Sequence, residues 1–291
     1  MKLYVVNSFT YQSLGGNPAG IVLDFDHVLK DSEMQDIARS AGFSETAFIR
    51  KGHVTSDFDI RFFTPTDEVD LCGHATVASF WFLSHIGVIV PGSYIQKTKA
   101  GLLRVQVIDM PSKSTESRDY KIIMEQASPK KRESKTWLDE RFKLSFPNFN
   151  PHGHLPPEVW STGLEDLLLP VEHLEDLHRL EVNFPALSEY SRHHNLVGVH
   201  AFCIGKHQIH ARNFAPLYGI NEESATGTSN GALAAYLHEH LYPDLKSLEI
   251  DVLQGEAMQA TSLIQVISKK SDSQHTVWVG GQCHFIAEIE I

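Results

Sequence analysis

Gly73 to Leu83 reads GHATVASFWFL, and Gly227 to Leu237 reads GTSNGALAAYL. Neither stretch contains Asp, Glu, Lys or Arg. A helix that is apolar on every side must be surrounded by protein or by lipid. Both are too short to span a bilayer, so each is expected to run through the middle of a curved sheet. The two stretches also echo each other. Each follows an R-x-F-x-P segment: Arg61, Phe63 and Pro65 before the first, Arg212, Phe214 and Pro216 before the second. Gly227 lies 154 residues after Gly73, and Arg212 lies 151 after Arg61, so the register drifts by only three. A shared order of strand, turn, glycine and helix at almost constant spacing predicts an internal duplication.

Strand patterns surround both stretches. Leu3–Val6, Gly20–Leu23 and Thr46–Ile49 are short and rich in branched or aromatic residues. Phe58, Ile60 and Phe62 alternate with Asp59 and Arg61, the period of a half-buried strand. Later candidates include Leu103–Ile108, Tyr120–Met124, Val199–Ile204, Ala211–Phe214, Leu263–Ile267 and His284–Ile291. Outside the two apolar stretches a helix fits Glu33–Ala41, with Ser32 and Gln35 as a capping box and Gly42 as the stop. Residues 111–195 carry the polar run PSKSTESRDYK and the Pro-rich FPNFNPHGHLPPEV, both expected to be surface connections.

Composition excludes several classes. Formal net charge is −11, which argues against a nucleic-acid partner. The longest basic cluster, Lys130-Lys131-Arg132 with Lys135, reads as a solvated loop. Cys72, Cys203 and Cys283 are too widely spaced for a disulfide scaffold or a CxxC metal site. The opening MKLYVVNSFTY lacks the apolar core of a signal peptide, and no segment suggests a membrane span, so a cytoplasmic protein is expected. Histidine pairs such as His238-x-His240 lack carboxylate or cysteine partners at ligand spacing, so no metal site is expected.

Four segments could carry chemistry. Cys72-Gly73-His74 and Thr226-Gly227-Thr228 would sit at helix starts, where free N–H groups and a partial positive charge hold carboxylates and developing enolates. The same glycines would equally serve as tight turns, with Thr228 or Ser229 as an ordinary cap. The loop Gly15-Gly16-Asn17-Pro18-Ala19-Gly20 allows close backbone approach to a ligand, but it is neither a GxGxxG nor a Walker loop. Ser44-Glu45-Thr46 marks a loop-to-strand junction whose glutamate gains interest only from what it faces.

Together these stretches resemble the PhzF-type phenazine-biosynthesis isomerase family, within the group sharing the diaminopimelate epimerase fold. The matching features are GGNPAGIVLD at 15–24, SETAF at 44–48, RFFTPTDEVDLCGHAT at 61–76, EESATGTSNGALAAYL at 222–237 and Gln254-Gly255. The resemblance implies an α+β fold of two pseudo-symmetric domains, each a curved sheet or barrel around a central helix. The domains would be residues 1–115, with 281–291 returning to them, and 116–280, with the active-site cleft between. It implies a homodimer that uses no cofactor and acts on a small carboxylate-bearing molecule. Glu45 would be the residue that moves a proton between two carbons. Asn17, Cys72, Gly73, His74, Glu223, Thr226, Gly227 and Thr228 would hold the substrate. A carboxylate that both takes and returns a proton works best with its pKa near neutrality, which burial favours.

Departures from the family pattern bear on the substrate. Glu223-Ser224 stands where the family commonly has Asp-Pro, and Ala260-Thr261 stands where it has Arg-Pro. Cys72 falls where amino-acid epimerases of this fold hold one of two catalytic cysteines, and the second position is Thr226. A threonine hydroxyl is a poor base at neutral pH, which argues against two-base epimerisation. Two other readings stay open: a dehydratase of a proline-like amino acid that uses Cys72, and a binding protein that kept the fold without catalysis. Cys72 is also compatible with simple packing at a helix start.

Overall fold

The computed structural model describes residues 1–111, 119–132 and 137–291. Most of the polar run at 111–121, and Glu133 and Lys135 of the basic cluster, lie outside the described residues. The chain forms two compact units, Met1–Glu125 with Gly280–Ile291, and Gln126–Val279.

The first unit contains β1 (Lys2–Ser8), β2 (Asn17–Leu23), β3 (Thr46–Lys51), β4 (Phe58–Phe63), β5 (Glu68–Val69), β6 (Gly92–Thr98), β7 (Gly101–Met110) and β8 (Asp119–Glu125). β1 pairs antiparallel with β2, β2 parallel with β3, β3 antiparallel with β4, and β4 parallel with β6. β6, β7 and β8 continue antiparallel. The final strand, His275–Glu290, pairs with both β1 and β8 and closes eight strands into a barrel. β8 belongs to this unit because it pairs with β7, so the unit runs past residue 115.

Helix α1 (Asp31–Ala41) packs Met34 and Ala38 against Leu3, Val22, Phe48 and Phe63. It starts earlier than the Ser32 box predicts. The Glu33 carboxylate accepts the Lys30 N–H at 2.7 Å, so the capping glutamate is Glu33 and Ser32 lies inside the helix. Gly42 ends it at φ +71°, its N–H bonded to Ala38 O. Helix α2 (Gly73–His85) is buried on every side from His74 to Ser84 and packs on β8, β2 and β1. The hydroxyls of Thr76, Ser79 and Ser84 donate to carbonyls four residues back, which lets them sit in an apolar interior.

The second unit repeats this order with β9 (Lys130–Arg132), β10 (Glu158–Ser161), β11 (Glu165–Pro170), β12 (Gly198–Ile204), β13 (Ile209–Ala215), β14 (Ile220–Glu223), β15 (Ser247–Gln254), β16 (Ser262–Lys270) and the start of the final strand, β17. β10–β11 is antiparallel, β11–β12 parallel, β12–β13 antiparallel, β13–β15 parallel and β15–β16 antiparallel, matching β1 through β7 one for one. Helices α3 (Glu140–Ser145), α4 (Leu174–His178) and α5 (Phe184–His194) contribute to an outer core, while α6 (Gly227–His240) is the buried counterpart of α2. Most of the Pro-rich run at 146–159 is loop, as expected, but the segment 126–195 around it is more than a connection. It supplies three strands and the buried Trp137, Phe146, Val159, Leu187 and Tyr190. Lys130–Arg132 is not a solvated loop: it pairs as β9 with β10, Lys131 reaches Glu158 at 2.8 Å, and Arg132 bonds Glu165 and the carbonyl of His194.

The R-x-F echo has a structural cause. Arg61 holds Glu68 through Nε and Nη2 at 2.7 and 2.8 Å while lying over Phe63. Arg212 holds Glu222 at 2.9 and 2.8 Å while lying over Phe214. Each planar fork ties a short strand to the strand before it.

Candidate active site

The start of α2 gathers four of the residues singled out in the sequence. Cys72 is the N-cap, with extended backbone and no side-chain cap, so the helix start is left to other partners. His74, the second residue of the helix, is 6% exposed. Its Nδ1 lies 3.3 Å from Cys72 Sγ and 3.4 Å from Asn17 Nδ2, at the start of β2. On the other side of the ring, Nε2 lies 3.3 Å from Glu45 Oε2, just before β3, in a line too skewed for a hydrogen bond. Burial pushes the His74 imidazole below its ordinary pKa, and the Glu45 charge opposes this only in part. The ring is thus neutral at pH 7. An amide nitrogen facing Nδ1 makes that atom the acceptor and puts the ring proton on Nε2, facing Glu45.

The start of α6 gathers the rest, with a different chemistry. Thr226 is the N-cap, again without a side-chain cap. Its hydroxyl donates to Glu223 Oε2 at 2.5 Å. Gln254, fully buried at the end of β15, accepts from Asn230 Nδ2 at 2.7 Å and from the Thr226 N–H at 3.3 Å. It also donates to Glu223 O at 2.7 Å and to Thr226 Oγ1 at 3.1 Å. The Thr228 carbonyl accepts from Thr162 Oγ1 at 2.8 Å. Gly227 and Thr228 are partly exposed.

Both starts share one scaffold. Thr76 bonds back to Cys72 O and across to Gln96; Asn230 bonds back to Thr226 O and across to Gln254. The sequence pointed to Gln254 only as part of a matching stretch and passed over Asn230, which aligning the two echoed helices would have placed opposite Thr76. It also missed a buried polar group behind α6. Ser229 donates to Asp166 at 2.6 Å, and burial pushes the Asp166 carboxyl up to about 6. His200 Nδ1 lies 3.1 Å from Asn213 Oδ1, and burial lowers this imidazole to about 4. Neither residue carried a sequence signal, because strand alternation does not distinguish a buried polar residue from an exposed one.

Known proteins agree with this arrangement. Residues 6–288 match the family described as phenazine biosynthesis-like protein, PhzC-PhzF. A protein of Clostridium acetobutylicum named as an uncharacterized isomerase is 36% identical, covering 91% of this chain and 89% of its own. The crystal structure of a PhzF-family phenazine biosynthesis protein of Bacillus anthracis superposes with a TM-score of 0.86 at 28% identity, covering 100% of this chain and 98% of that one. A probable proline racemase of Agrobacterium radiobacter shares the fold at 10% identity, with a TM-score of 0.63 over 100% of this chain and 92% of its own. With two units of matching strand order, a buried helix in each and a match along almost its whole length, the chain belongs to the phenazine biosynthesis-like PhzC-PhzF family.

Proposed function

We propose that the protein is an isomerase that moves a proton between two carbons of a small carboxylate-bearing metabolite, with Glu45 as the group that takes and returns it. The observation that carries the reading is the Glu45 carboxylate 3.3 Å from a buried, neutral His74 at an uncapped helix start. A neutral imidazole does not hold the carboxylate as an ion pair, as an imidazolium would. Backbone N–H groups at the start of α2 would hold the enolate formed when a carbon-bound proton leaves. In the forward step the C–H proton passes to Glu45 and the C–H electron pair enters the enolate. In the return step the Glu45 carboxyl, whose proton exchanges with solvent, protonates the other carbon. Asn17 and His74 are the proposed substrate contacts beside Glu45. The reading takes the enzyme to be a cytoplasmic homodimer that works without a cofactor. The isomerase names of its relatives support the reaction class.

Solvent-deuterium incorporation into a panel of small unsaturated and amino-substituted carboxylic acids tests this directly. Carbon-bound deuterium is expected with the native protein and not with Glu45→Gln. Near-native exchange in that variant would sink the assignment, and no exchange with any acid would favour a binding protein. A second reading rests on Cys72 Sγ, 3.3 Å from His74 Nδ1: a dehydratase of a proline-like amino acid in which the thiol removes the proton. Exchange abolished by Cys72→Ser and retained by Glu45→Gln would select it.

A further inference from the structure

We infer that Glu45, Cys72 and His74 form a binding site for a borderline-soft divalent cation of the zinc type. The site is independent of whether Glu45 moves protons. One ligand atom from each of the three side chains lies within 4.8 Å of the other two. A tetrahedral zinc ion with ordinary bond lengths to sulfur, nitrogen and oxygen requires nitrogen–oxygen and sulfur–nitrogen edges of about 3.3–3.6 Å. His74 Nε2 lies 3.3 Å from Glu45 Oε2 and 3.9 Å from Cys72 Sγ, and a turn of the Cys72 side chain away from Nδ1, where the sulfur now stands at 3.3 Å, would bring all three ligand atoms around one ion. Thiolate, imidazole and carboxylate are a donor set this kind of ion takes, and three protein ligands leave a fourth position for solvent.

Asn17 supplies the outer support. With Nε2 on the ion, Nδ1 must carry the ring proton. A flip of the Asn17 amide, whose nitrogen stands 3.4 Å away, turns its oxygen toward that proton. Cys72 and His74 are 7% and 6% exposed, while the Glu45 side chain is 21% exposed and forms the approach from solvent. Binding converts the Cys72 thiol to thiolate and releases its proton to the buffer, so the uptake is accompanied by acidification. An ion held here occupies the carboxylate that the proposed reaction needs, so zinc would act as an inhibitor that competes with proton transfer.

One other described cluster, Asp139 with His193 and His194, is a weaker candidate. Asp139 is already engaged by the His194 ring at 3.2 Å and approached by Arg141 at 3.9 Å, and it lacks a thiol. It serves as the control.

Titration of the full chain with Co2+, read by absorbance, distinguishes the two. One equivalent should give a thiolate-to-cobalt charge-transfer band that is absent in Cys72→Ser and intact in His193→Ala. Competition with Zn2+ should show affinity at least about tenfold weaker in both Cys72→Ser and Glu45→Gln, with circular dichroism confirming that the variants fold. No band in the native protein, a band that survives Cys72→Ser, or unchanged zinc affinity in that variant would overturn the site.

Discussion

The two helix starts have the same scaffold and opposite chemistry. At each, an uncapped residue in extended conformation precedes a glycine, and a side chain one turn later bonds back to it and across to a glutamine on a strand. Around that frame the first unit places a carboxylate, an imidazole and a thiol in contact. The second unit places an amide and hydroxyl network that also holds Glu223. The strands explain part of the asymmetry. Phe63 pairs with Thr46 and Phe214 with Val199, so Gly198 occupies the position that matches Glu45. A Cβ at Gly198 would lie 2.0 Å from Phe214 O, so the position admits no side chain. One start therefore sets its carboxylate beside an imidazole and a thiol, and the other sets Glu223 in an amide and hydroxyl network. That division suits one-base proton transfer better than a symmetric two-base reaction.

The comparison breaks most easily at its reactive half. Glu45→Gln should lower the rate of deuterium incorporation by about 10²–10⁴-fold, while Glu223→Gln lowers it less. Equal losses in the two variants would mean that both halves supply chemistry.

Acid titration tests the second half next. The His200 pKa falls to about 4 on folding, so the unfolded chain takes up a proton first and stability is lost as pH drops from 6.5 toward 4. For Asp166 the sign is reversed. Its folded pKa of about 6 exceeds the unfolded value, so the folded chain takes up the proton first and gains stability as pH drops from 6 toward 3.8. Each effect is on the order of 3 kcal/mol, so they offset each other over much of that window. Asp166→Asn should therefore make urea stability fall more steeply below pH 6 than in the native protein. Parallel profiles would show that Asp166 does not titrate there.

The glutamines come third. Gln254→Leu strips four hydrogen bonds from a fully buried network and should cost about 2–3 kcal/mol in chemical denaturation. Gln96→Leu, which loses its contact with Thr76, should cost about 1 kcal/mol. The reverse ranking would remove Gln254 as the organiser of the second start.

The smallest contrast lies in the arginine forks. Arg212 also donates to the carbonyls of Leu177 and Leu180, whereas Arg61 adds only the exposed Asp31. Arg212→Lys should thus cost about 1–2 kcal/mol and Arg61→Lys about half that, as differences in thermal unfolding.

Much of the frame was legible in the sequence, because a helix without a charged face has one solution in water and two such helices at matched spacing imply two such solutions. Glu45, Cys72 and His74 could be nominated from short stretches, but their convergence on one imidazole depends on the pairing of β2 with β3 around α2. The elements between 126 and 195 were not legible because their apolar residues are spread among Pro, Asn and His without a steady period, and helices α3 and α4 are too short to display one. The Asp166 and His200 group was invisible for a related reason. Its partners, Ser229 and Asn213, lie on elements that only tertiary structure brings together.

The final strand has a consequence for how the chain is made. Residues 275–279 belong to the second unit and 280–290 to the first, where Lys2 pairs with Glu290. The first barrel therefore lacks its closing strand until residues 280–290 have left the ribosome, while the second unit is built from the single stretch 126–279. The half that emerges first should finish last, with the exposed edges of β1 and β8 waiting for a partner nearly the whole length of the chain away. Slow, long-range closure of this kind makes the nascent first unit the part most dependent on chaperones and most prone to mispairing.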